Sequence, residues 1–192
     1  MFTGIIECMG SIEQITEDGS NLNINLSSPI SSSLKIDQSV AHNGICLTVV
    51  DIKDNKHTVT AIKESIDRTD IKDWKVGSKI NLERCMPASG RFDGHIVQGH
   101  VDCVAICTKI TSENGSYRFY FSLNQETKLM VEKGSICING ISLTLVDAEP
   151  NSFSVAIIPY TLENTNLKKI QVQDKVNIEF DILGKYISKM IN

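Results

Sequence analysis

Short stretches of alternating apolar and polar residues recur along the chain and are separated by turn residues. β-Branched residues dominate these stretches, and Gly, Asn, Asp and Ser lie between them, a pattern typical of short antiparallel strands. The clearest examples are LNINL, HTVTAI and SKINLE in the first half and YRFYFSL, FSVAII and DKVNIEF in the second. Regularly spaced short strands predict an all-β fold, with a small barrel or sandwich in each half.

The two halves repeat one another. Residues 39–50 (SVAHNGICLTVV) return as residues 135–146 (SICINGISLTLV), and the same displacement of 96 aligns 61–72 with 157–168 and 76–83 with 172–179. A displacement of 95 aligns TGIIEC at 3–8 with QGHVDC at 98–103. Self-similarity of this length indicates duplicated structural units. We therefore expect two related units, joined near the Gly- and Pro-containing segment 85–95.

Helical patterns are few. The segments SSPISSSLKI (27–36) and NQETKLMVEK (124–133) predict single helical turns or short helices. Apolar residues lie at helical spacing in ILGKYISKMIN (182–192), which predicts a short C-terminal helix. A helix of this length is unstable alone, so it should pack on another surface, for example another subunit.

Composition narrows the classes of function. The 192 residues carry a formal net charge of −4 and only 6% aromatic residues, whereas a nucleic-acid binder needs basic grooves and stacking aromatics. No apolar run reaches the length of a membrane span, and the start MFTGIIE lacks the features of a signal peptide. These observations disfavour nucleic acid and membrane as partners and predict a cytoplasmic protein.

No metal or cofactor motif is present. The six cysteines include no C-x-x-C pair, so free thiols in a reducing compartment are expected. His95 and His100 are five positions apart and would face opposite sides of a strand. The chain also lacks a phosphate-binding G-x-x-x-x-G-K loop and a dinucleotide fingerprint. The sequence therefore predicts neither a metal site nor a cofactor.

The repeated strand carries the first chemical indication. Alternation places Ile45, Leu47 and Val49 on one face and the smaller Cys46 and Thr48 on the other, and the second copy follows the same pattern. Two interpretations are open. The polar residues either lie on a solvated outer face, or line a small-molecule pocket that both units share.

The segments MFTGIIE, SVAHNGICLTVV, GHIVQGHVD and KGSICINGISLTLV closely resemble the α chain of riboflavin synthase, and the resemblance covers essentially the whole chain. It implies two six-stranded antiparallel Greek-key barrels, at 1–88 and 95–181, followed by a C-terminal helix at 182–192. It further implies a homotrimer, an association with lumazine synthase, and transfer of a four-carbon unit between two molecules of 6,7-dimethyl-8-ribityllumazine. The products would be riboflavin and 5-amino-6-ribitylamino-uracil, formed where the N-terminal barrel of one subunit meets the C-terminal barrel of its neighbour.

The resemblance also implies two sets of ligand-contacting residues. In the N-terminal unit they are Gly4, Ile5, Ile6, Cys46, Leu47, Thr48, Thr60, Ala61, Ile62, Lys63, Glu64 and Ser65. In the C-terminal unit they are Gly99, His100, Val101, Lys133, Ser142, Leu143, Thr144, Ala156, Ile157, Ile158, Pro159, Tyr160 and Thr161. The catalytic candidates are His100, Ser142, Cys46, Thr144, Ser39 and Asp181.

The two halves differ at equivalent candidate positions. The N-terminal unit has the thiol of Cys46, whereas the C-terminal unit has the imidazole of His100 and the hydroxyl of Ser142. His100 is the acid-base candidate because histidine titrates nearest neutral pH, although it can equally serve as a hydrogen-bonding residue of the barrel. Cys46 either adds to C7 of the lumazine or only lines the pocket. Ser142 and Thr144 can orient His100 or a water, and Asp181 is either a partner of His100 or a surface residue. A non-catalytic lumazine or flavin carrier is the alternative function.

Overall fold

Two barrels make up most of the chain. The computed structural model describes residues 1–191, and the first half contains strands β1 (Cys8–Asp18), β2 (Asn21–Ser27), β3 (Ser39–His42), β4 (Ile45–Lys53), β5 (Lys56–Ala61) and β6 (Lys79–Arg84). The second half contains β7 (Cys103–Glu113), β8 (Ser116–Leu123), β9 (Ser135–Ile138), β10 (Ile141–Glu149), β11 (Ser152–Ile157) and β12 (Lys175–Phe180).

Each set of six strands closes on itself. The order around the first barrel is β1, β2, β5, β4, β3, β6, and β6 pairs back onto β1. The second barrel repeats this order with β7, β8, β11, β10, β9 and β12. All neighbouring pairs are antiparallel, and the β2–β5 and β8–β11 neighbours give the Greek-key connection. The predicted fold of two six-stranded antiparallel barrels is confirmed.

The helical segments differ in part from the prediction. A 3₁₀ turn at Ser31–Ser33 confirms the first of the two predicted short helical segments. Segment 124–133 has no helix, because its backbone N–H groups at Thr127 and Lys133 donate to the carbonyls of Pro150, in the turn after β10, and Leu145, within β10. Two short helices that the pattern did not predict, α1 (Lys63–Arg68) and α2 (Pro159–Asn164), follow β5 and β11, and each is followed by a 3₁₀ turn. Tertiary hydrogen bonds here outweigh local propensity.

The predicted C-terminal helix is present as α3, which spans Ile182–Ile191, and Asn192 of the predicted range lies outside the described residues. Its apolar side chains are largely exposed, with Tyr186 at 66%, Ile187 at 56% and Met190 at 84%. An uncovered apolar stripe on a helix is typical of an interaction surface. Within residues 1–191, no helix combines the length and the apolar character needed to cross a membrane.

The interior of the N-terminal barrel contains a buried polar chain. His57 Nε2 lies 2.9 Å from His42 Nε2, and His57 Nδ1 lies 2.8 Å from Ser31 Oγ, which in turn lies 2.8 Å from Ser28 Oγ. Burial lowers the pKa of His42 to about 3 and that of His57 to about 4, so both imidazoles are neutral at neutral pH. The equivalent positions of the C-terminal barrel are the buried and apolar Ile138 and Phe153.

The two barrels meet at their Asn-Gly turns. Asn43 and Asn139 both have φ of 47°, and a Cβ atom added at Gly44 would lie 2.7 Å from the backbone nitrogen of Gly140. Only glycine allows this approach, because any side chain would push the turns apart. The repeated Asn-Gly thus joins the two units.

A cluster of buried amides surrounds these turns. Asn81 Nδ2 donates to Asn139 O at 2.9 Å, and its repeat equivalent Asn177 donates to Asn43 O at 3.0 Å. Asn177 Oδ1 accepts from the backbone of Asp70, just as Asn81 Oδ1 accepts from the backbone of Asn166, both at 2.8 Å. The symmetry breaks at one pair, because the first half has the carboxyl of Asp70 where the second has the amide of Asn166.

Candidate functional site

Two loops cross between the barrels. The N-terminal segment pairs with the inter-barrel connection through Phe2 and Val97, whose backbone hydrogen bonds are 2.7 and 3.1 Å long. Beyond this bridge, Gly4 O accepts from the N–H of Ser142 in the C-terminal barrel at 2.7 Å. Gly99 O accepts from the N–H of Cys46 in the N-terminal barrel at 2.9 Å. Each half of the chain therefore supplies a loop to the other half's barrel.

Both loops require glycine. Gly4 has φ of +79° and Gly99 of +80°, and a Cβ atom on either would lie within 2.7 Å of the facing strand. Backbone-to-backbone contact of this kind leaves no room for a side chain. The small residues Ser142 and Cys46 of the repeated strands face these glycines for the same reason.

The crossing changes how the candidate residues are grouped. The sequence grouped the Gly4 loop with Cys46 and the Gly99 loop with Ser142, but the hydrogen bonds exchange them. His100 consequently lies beside Cys46, and the expected division into a thiol half and an imidazole half is wrong. We call the site at Cys46 the N-barrel pocket and the site at Ser142 the C-barrel pocket.

A buried carboxylate holds each loop. Glu83 Oε1 accepts from the backbone N–H and the hydroxyl of Thr3 at 2.6 and 2.7 Å, and its Oε2 accepts from Gly4 N at 2.9 Å. Glu179, at the equivalent position, accepts from the backbone N–H groups of Gln98, Gly99 and His100 at 2.7–2.9 Å. Burial raises the pKa of both carboxyls, and the loop hydrogen bonds oppose that rise. Charge-assisted bonds of this kind are among the stronger ones in proteins.

The N-barrel pocket is shallow, at about 130 Å³. Its lining includes Cys46, Ser65 of α1 and the Gly99 loop with His100. Burial raises the pKa of the Cys46 thiol, so the thiol is protonated at neutral pH. The backbone O of Ser39, on the paired strand β3, accepts from the neighbouring Cys85 Sγ at 3.4 Å. A neutral thiol favours pocket lining over nucleophilic attack as the role of Cys46.

The other predicted residues of this half lie on β4, at the end of β5 and at the start of α1. Leu47 is buried in the barrel core and Thr48 is exposed next to it on β4. Thr60 and Ala61 end β5, and Thr60 Oγ1 donates to Asn23 Oδ1 at 2.7 Å. The segment Ile62–Ser65 forms the start of α1, where Lys63 pairs with Asp67 at 3.1 Å.

The C-barrel pocket centres on Ser142. His95 Nδ1 lies 2.7 Å from Ser142 Oγ, and the Gly4 loop lies against the backbone of the same residue. Thr144 is exposed two positions further along β10, opposite Ser135. The hydroxyl of Ser142 thus contacts His95, whereas the sequence offered His100 or a water as its partner.

The remaining C-terminal candidates occupy three places. Ala156 and Ile157 end β11, and Ile158–Thr161 lead into α2, with Ile158 58% exposed and Tyr160 75% exposed. Lys133 lies in the turn before β9, where its N–H donates to Leu145 O at 3.0 Å. Asp181 accepts from Leu183 N at 3.0 Å at the start of α3, and its charge acts on His95, opposing the effect of burial, which lowers the pKa of that imidazole.

Three residues that sequence reasoning did not select now belong to the site: Glu83, Glu179 and His95. Glu83 and Glu179 could have been found from the sequence, because they occupy the same final position in the aligned segments 76–83 and 172–179. His95 was weighed only as a metal ligand, because its contact with Ser142 joins residues 47 positions apart in the sequence.

Comparison with known proteins identifies this arrangement. A model of the lumazine binding domain matches residues 3–85 and again residues 98–181. The chain is 41% identical to the riboflavin synthase of Actinobacillus pleuropneumoniae and 40% identical to that of Bacillus subtilis, in each case over all of this chain and 90% of the relative. The chain belongs to the riboflavin synthase family.

Solved structures extend the likeness to ligand-binding relatives. The structure of LumP complexed with 6,7-dimethyl-8-(1'-D-ribityl) lumazine matches with a TM-score of 0.84 and 25% identity, over 93% of this chain and 98% of LumP. LumP complexed with riboflavin matches equally well, with a TM-score of 0.84 over 94% of this chain and 99% of that one. Members of the riboflavin synthase family and LumP therefore share the two-barrel fold.

Proposed function

We propose that this chain is a riboflavin synthase, a transferase that moves a four-carbon unit from one 6,7-dimethyl-8-ribityllumazine molecule to another. Riboflavin and 5-amino-6-ribitylamino-uracil are the products. The observation that carries this proposal is the identity of about 40% to riboflavin synthases along the full chain, together with two matches to the lumazine binding domain.

Two similar pockets suit a reaction between two identical molecules. Each half of the chain contains a repeated strand and a short helix and receives a glycine loop from the other half, so each half can bind one lumazine. Holding two planar heterocycles face to face supplies much of the rate enhancement, because it turns a bimolecular step into one within a complex. This chemistry requires no external redox cofactor, since the four-carbon unit that one lumazine loses is gained by the other.

Roles of individual residues follow from their position. His100 is exposed at the mouth of the N-barrel pocket, where its imidazole can exchange protons with the ligand. Cys46 lines that pocket and the Ser39 side chain lies beside the Cys46 thiol, whereas Ser142 and Thr144 offer hydroxyls on the repeated strand of the C-terminal barrel. We assign Asp181 an electrostatic role on His95, since its own carboxylate caps α3.

The active assembly is proposed to be a homotrimer in the cytoplasm, with lumazine synthase as an associated enzyme. Its support is the exposed apolar side chains around both pockets, including Ile5 at 46%, Ile62 at 53% and Ile158 at 58%, and the uncovered stripe of α3. A pocket of about 130 Å³ is also small for a ligand that needs roughly 300 Å³ or more. The N-barrel pocket of one subunit facing the C-barrel pocket of another would enclose both ligands.

A lumazine carrier without catalysis is the second candidate, because LumP has the same fold at 25% identity. The higher identity to riboflavin synthases favours the enzyme. Mixing the purified protein with 6,7-dimethyl-8-ribityllumazine and recording riboflavin absorbance separates the two. Riboflavin formation supports the enzyme, and tight binding without turnover would reject it in favour of the carrier.

A further inference from the structure

A second cavity lies between the two barrels, apart from the pockets already described. Its volume is about 750 Å³, which is within the range of small-molecule sites. The first half of the chain contributes the segment around Trp74, and the second half contributes the equivalent segment around Ile170. None of its lining residues lines the N-barrel pocket, and Ser142 is not among them. We call this cavity the inter-barrel cleft.

The inter-barrel cleft has positive charge on a chain that is negative overall. Four lysines and three aspartates line it, whereas the whole chain has a net charge of −4. Lys175 pairs with Asp73 of the other barrel at 2.8 Å, so these two charges offset one another. Lys75 and Lys169 make no ion pair among residues 1–191. Unpaired lysines in a cleft attract an anion.

Trp74 places a buried donor in the wall of the cleft. Its side chain lines the cleft and the residue is only 8% exposed, and its Nε1 has no hydrogen-bond partner among residues 1–191. The carboxyl of Asp70 lies near the indole N–H, but the geometry does not complete a hydrogen bond. A buried N–H without an acceptor is rare, because it loses hydration without replacement. An acceptor atom of a bound molecule would supply the partner that the chain lacks.

Comparison of the two halves shows that the fold itself does not require this donor. Both halves have the same 3₁₀ turn, at Asp70–Asp73 and Asn166–Lys169, and the residue that follows is Trp74 in the first half and Ile170 in the second. An aliphatic side chain is therefore sufficient at this position. The indole N–H is a feature of the cleft, and not of the barrel as such.

We propose that the inter-barrel cleft binds a small aromatic anion. The apolar surfaces of Trp74 and Ile170 would contact its ring, and Lys75 and Lys169 would attract its negative group. An acceptor atom of the ligand would receive the hydrogen of Trp74 Nε1. This site is separate from the proposed lumazine sites and goes beyond the proposed function.

Nuclear magnetic resonance tests the proposal at one atom, because Trp74 is the single tryptophan of the chain. Its indole N–H gives one signal in ¹⁵N-labelled protein, and titration with adenosine 5′-monophosphate or with benzoate should shift this signal in a saturable manner. The compound that binds more tightly identifies the source of the ligand, a nucleotide or an aromatic acid. Failure of both compounds to shift the signal would overturn the proposal, as would an equal shift by inorganic sulfate, which has no ring.

Variants test the contacts with the tighter of the two compounds. Lys75→Gln and Lys169→Gln should each weaken its binding about two- to fivefold. Lys53→Gln on β4 removes the same charge away from the cleft and should match wild type. Trp74→Phe keeps a ring but has no N–H, so calorimetry should show about fivefold weaker binding. Unchanged affinity in all three cleft variants would refute the site.

Competition with the substrate distinguishes the cleft from the pockets. Saturating 6,7-dimethyl-8-ribityllumazine should leave the titration unchanged, because the cleft and the N-barrel pocket share no lining residue. Displacement by lumazine would assign the anion to a substrate pocket and overturn the proposal. None of these measurements requires turnover, so the cleft is tested even if the chain forms no riboflavin and the proposed function fails.

Discussion

Replacing Asp70 by Asn should stabilise the protein at neutral pH. The Asp70 side chain is buried between the barrels, where it accepts from Asn177 Nδ2 at 2.7 Å and from Asn43 Nδ2 at 3.4 Å. Burial is the largest influence on this carboxyl and raises its pKa from 3.8 to about 6. The unfolded chain therefore releases the proton between pH 4 and 6 while the folded protein retains it, so stability falls as the pH rises through this window.

The magnitude follows from the size of the shift. About two pKa units correspond to about 3 kcal/mol of lost stability above pH 6, and to none below pH 4. The repeat already shows that an amide fits, because Asn166 occupies the equivalent place and donates to Asn43 Oδ1 at 3.0 Å. Asp70→Asn should recover most of this energy, which for a chain of this size raises Tm by about 6–12 °C at pH 7.

Thermal unfolding at pH 7 and pH 4 provides the assay, followed by circular dichroism. The matched control is Asn166→Asp, which places a second carboxyl in the same cluster and should lower Tm at pH 7 and much less at pH 4. The reasoning is refuted if Asp70→Asn leaves Tm at pH 7 unchanged or lower, or if its effect is the same at both pH values.

Three further predictions concern other parts of the molecule. Glu83→Gln should weaken lumazine binding in the C-barrel pocket and Glu179→Gln in the N-barrel pocket, each by roughly tenfold or more; a two-site titration in which both variants weaken the same event would contradict the crossed arrangement. His42 and His57 are neutral in the folded protein, so only the unfolded chain takes up protons at these histidines between pH 6.5 and 4.5. The free energy of unfolding should therefore fall by about 5 kcal/mol as the pH falls through this range. The double change His42→Ile with His57→Phe, which copies the other barrel, should remove this loss in urea unfolding, and an unchanged pH profile would count against it. Ile187→Glu on α3 should convert the proposed trimer to monomers in sedimentation, and an unaltered assembly would exclude this helix from the interface.

Strand pattern and repetition predicted the barrels because both are local or periodic signals. The faces of the repeated strand came out as expected, with Ile45, Leu47 and Val49 buried and Thr48 exposed. Segment 124–133 misled the helix prediction, because contacts with distant carbonyls determine its backbone. Such contacts leave no trace in a window of ten residues.

The residues of the candidate site were easier to predict from the sequence than the contacts between them. Alignment of the repeats identified Gly4 as equivalent to Gly99, and Cys46 as equivalent to Ser142. This equivalence does not determine which glycine loop contacts which strand. Two arrangements are compatible with the repeat. Each glycine loop can contact the repeated strand of its own half, or it can contact the repeated strand of the other half. Only the hydrogen bonds from Ser142 to Gly4 and from Cys46 to Gly99 distinguish them.

The crossed loops make the covalent link at 85–95 only one of several connections between the halves. A chain cut in this segment would yield fragments that each carry part of the other's pocket, as the protomers of a domain-swapped dimer do. The duplicated chain is equivalent in its connectivity to a swapped dimer of a single-barrel protein whose two protomers are joined. In a fused chain the two copies can differ, and here one site has Cys46 where the other has Ser142 in contact with His95.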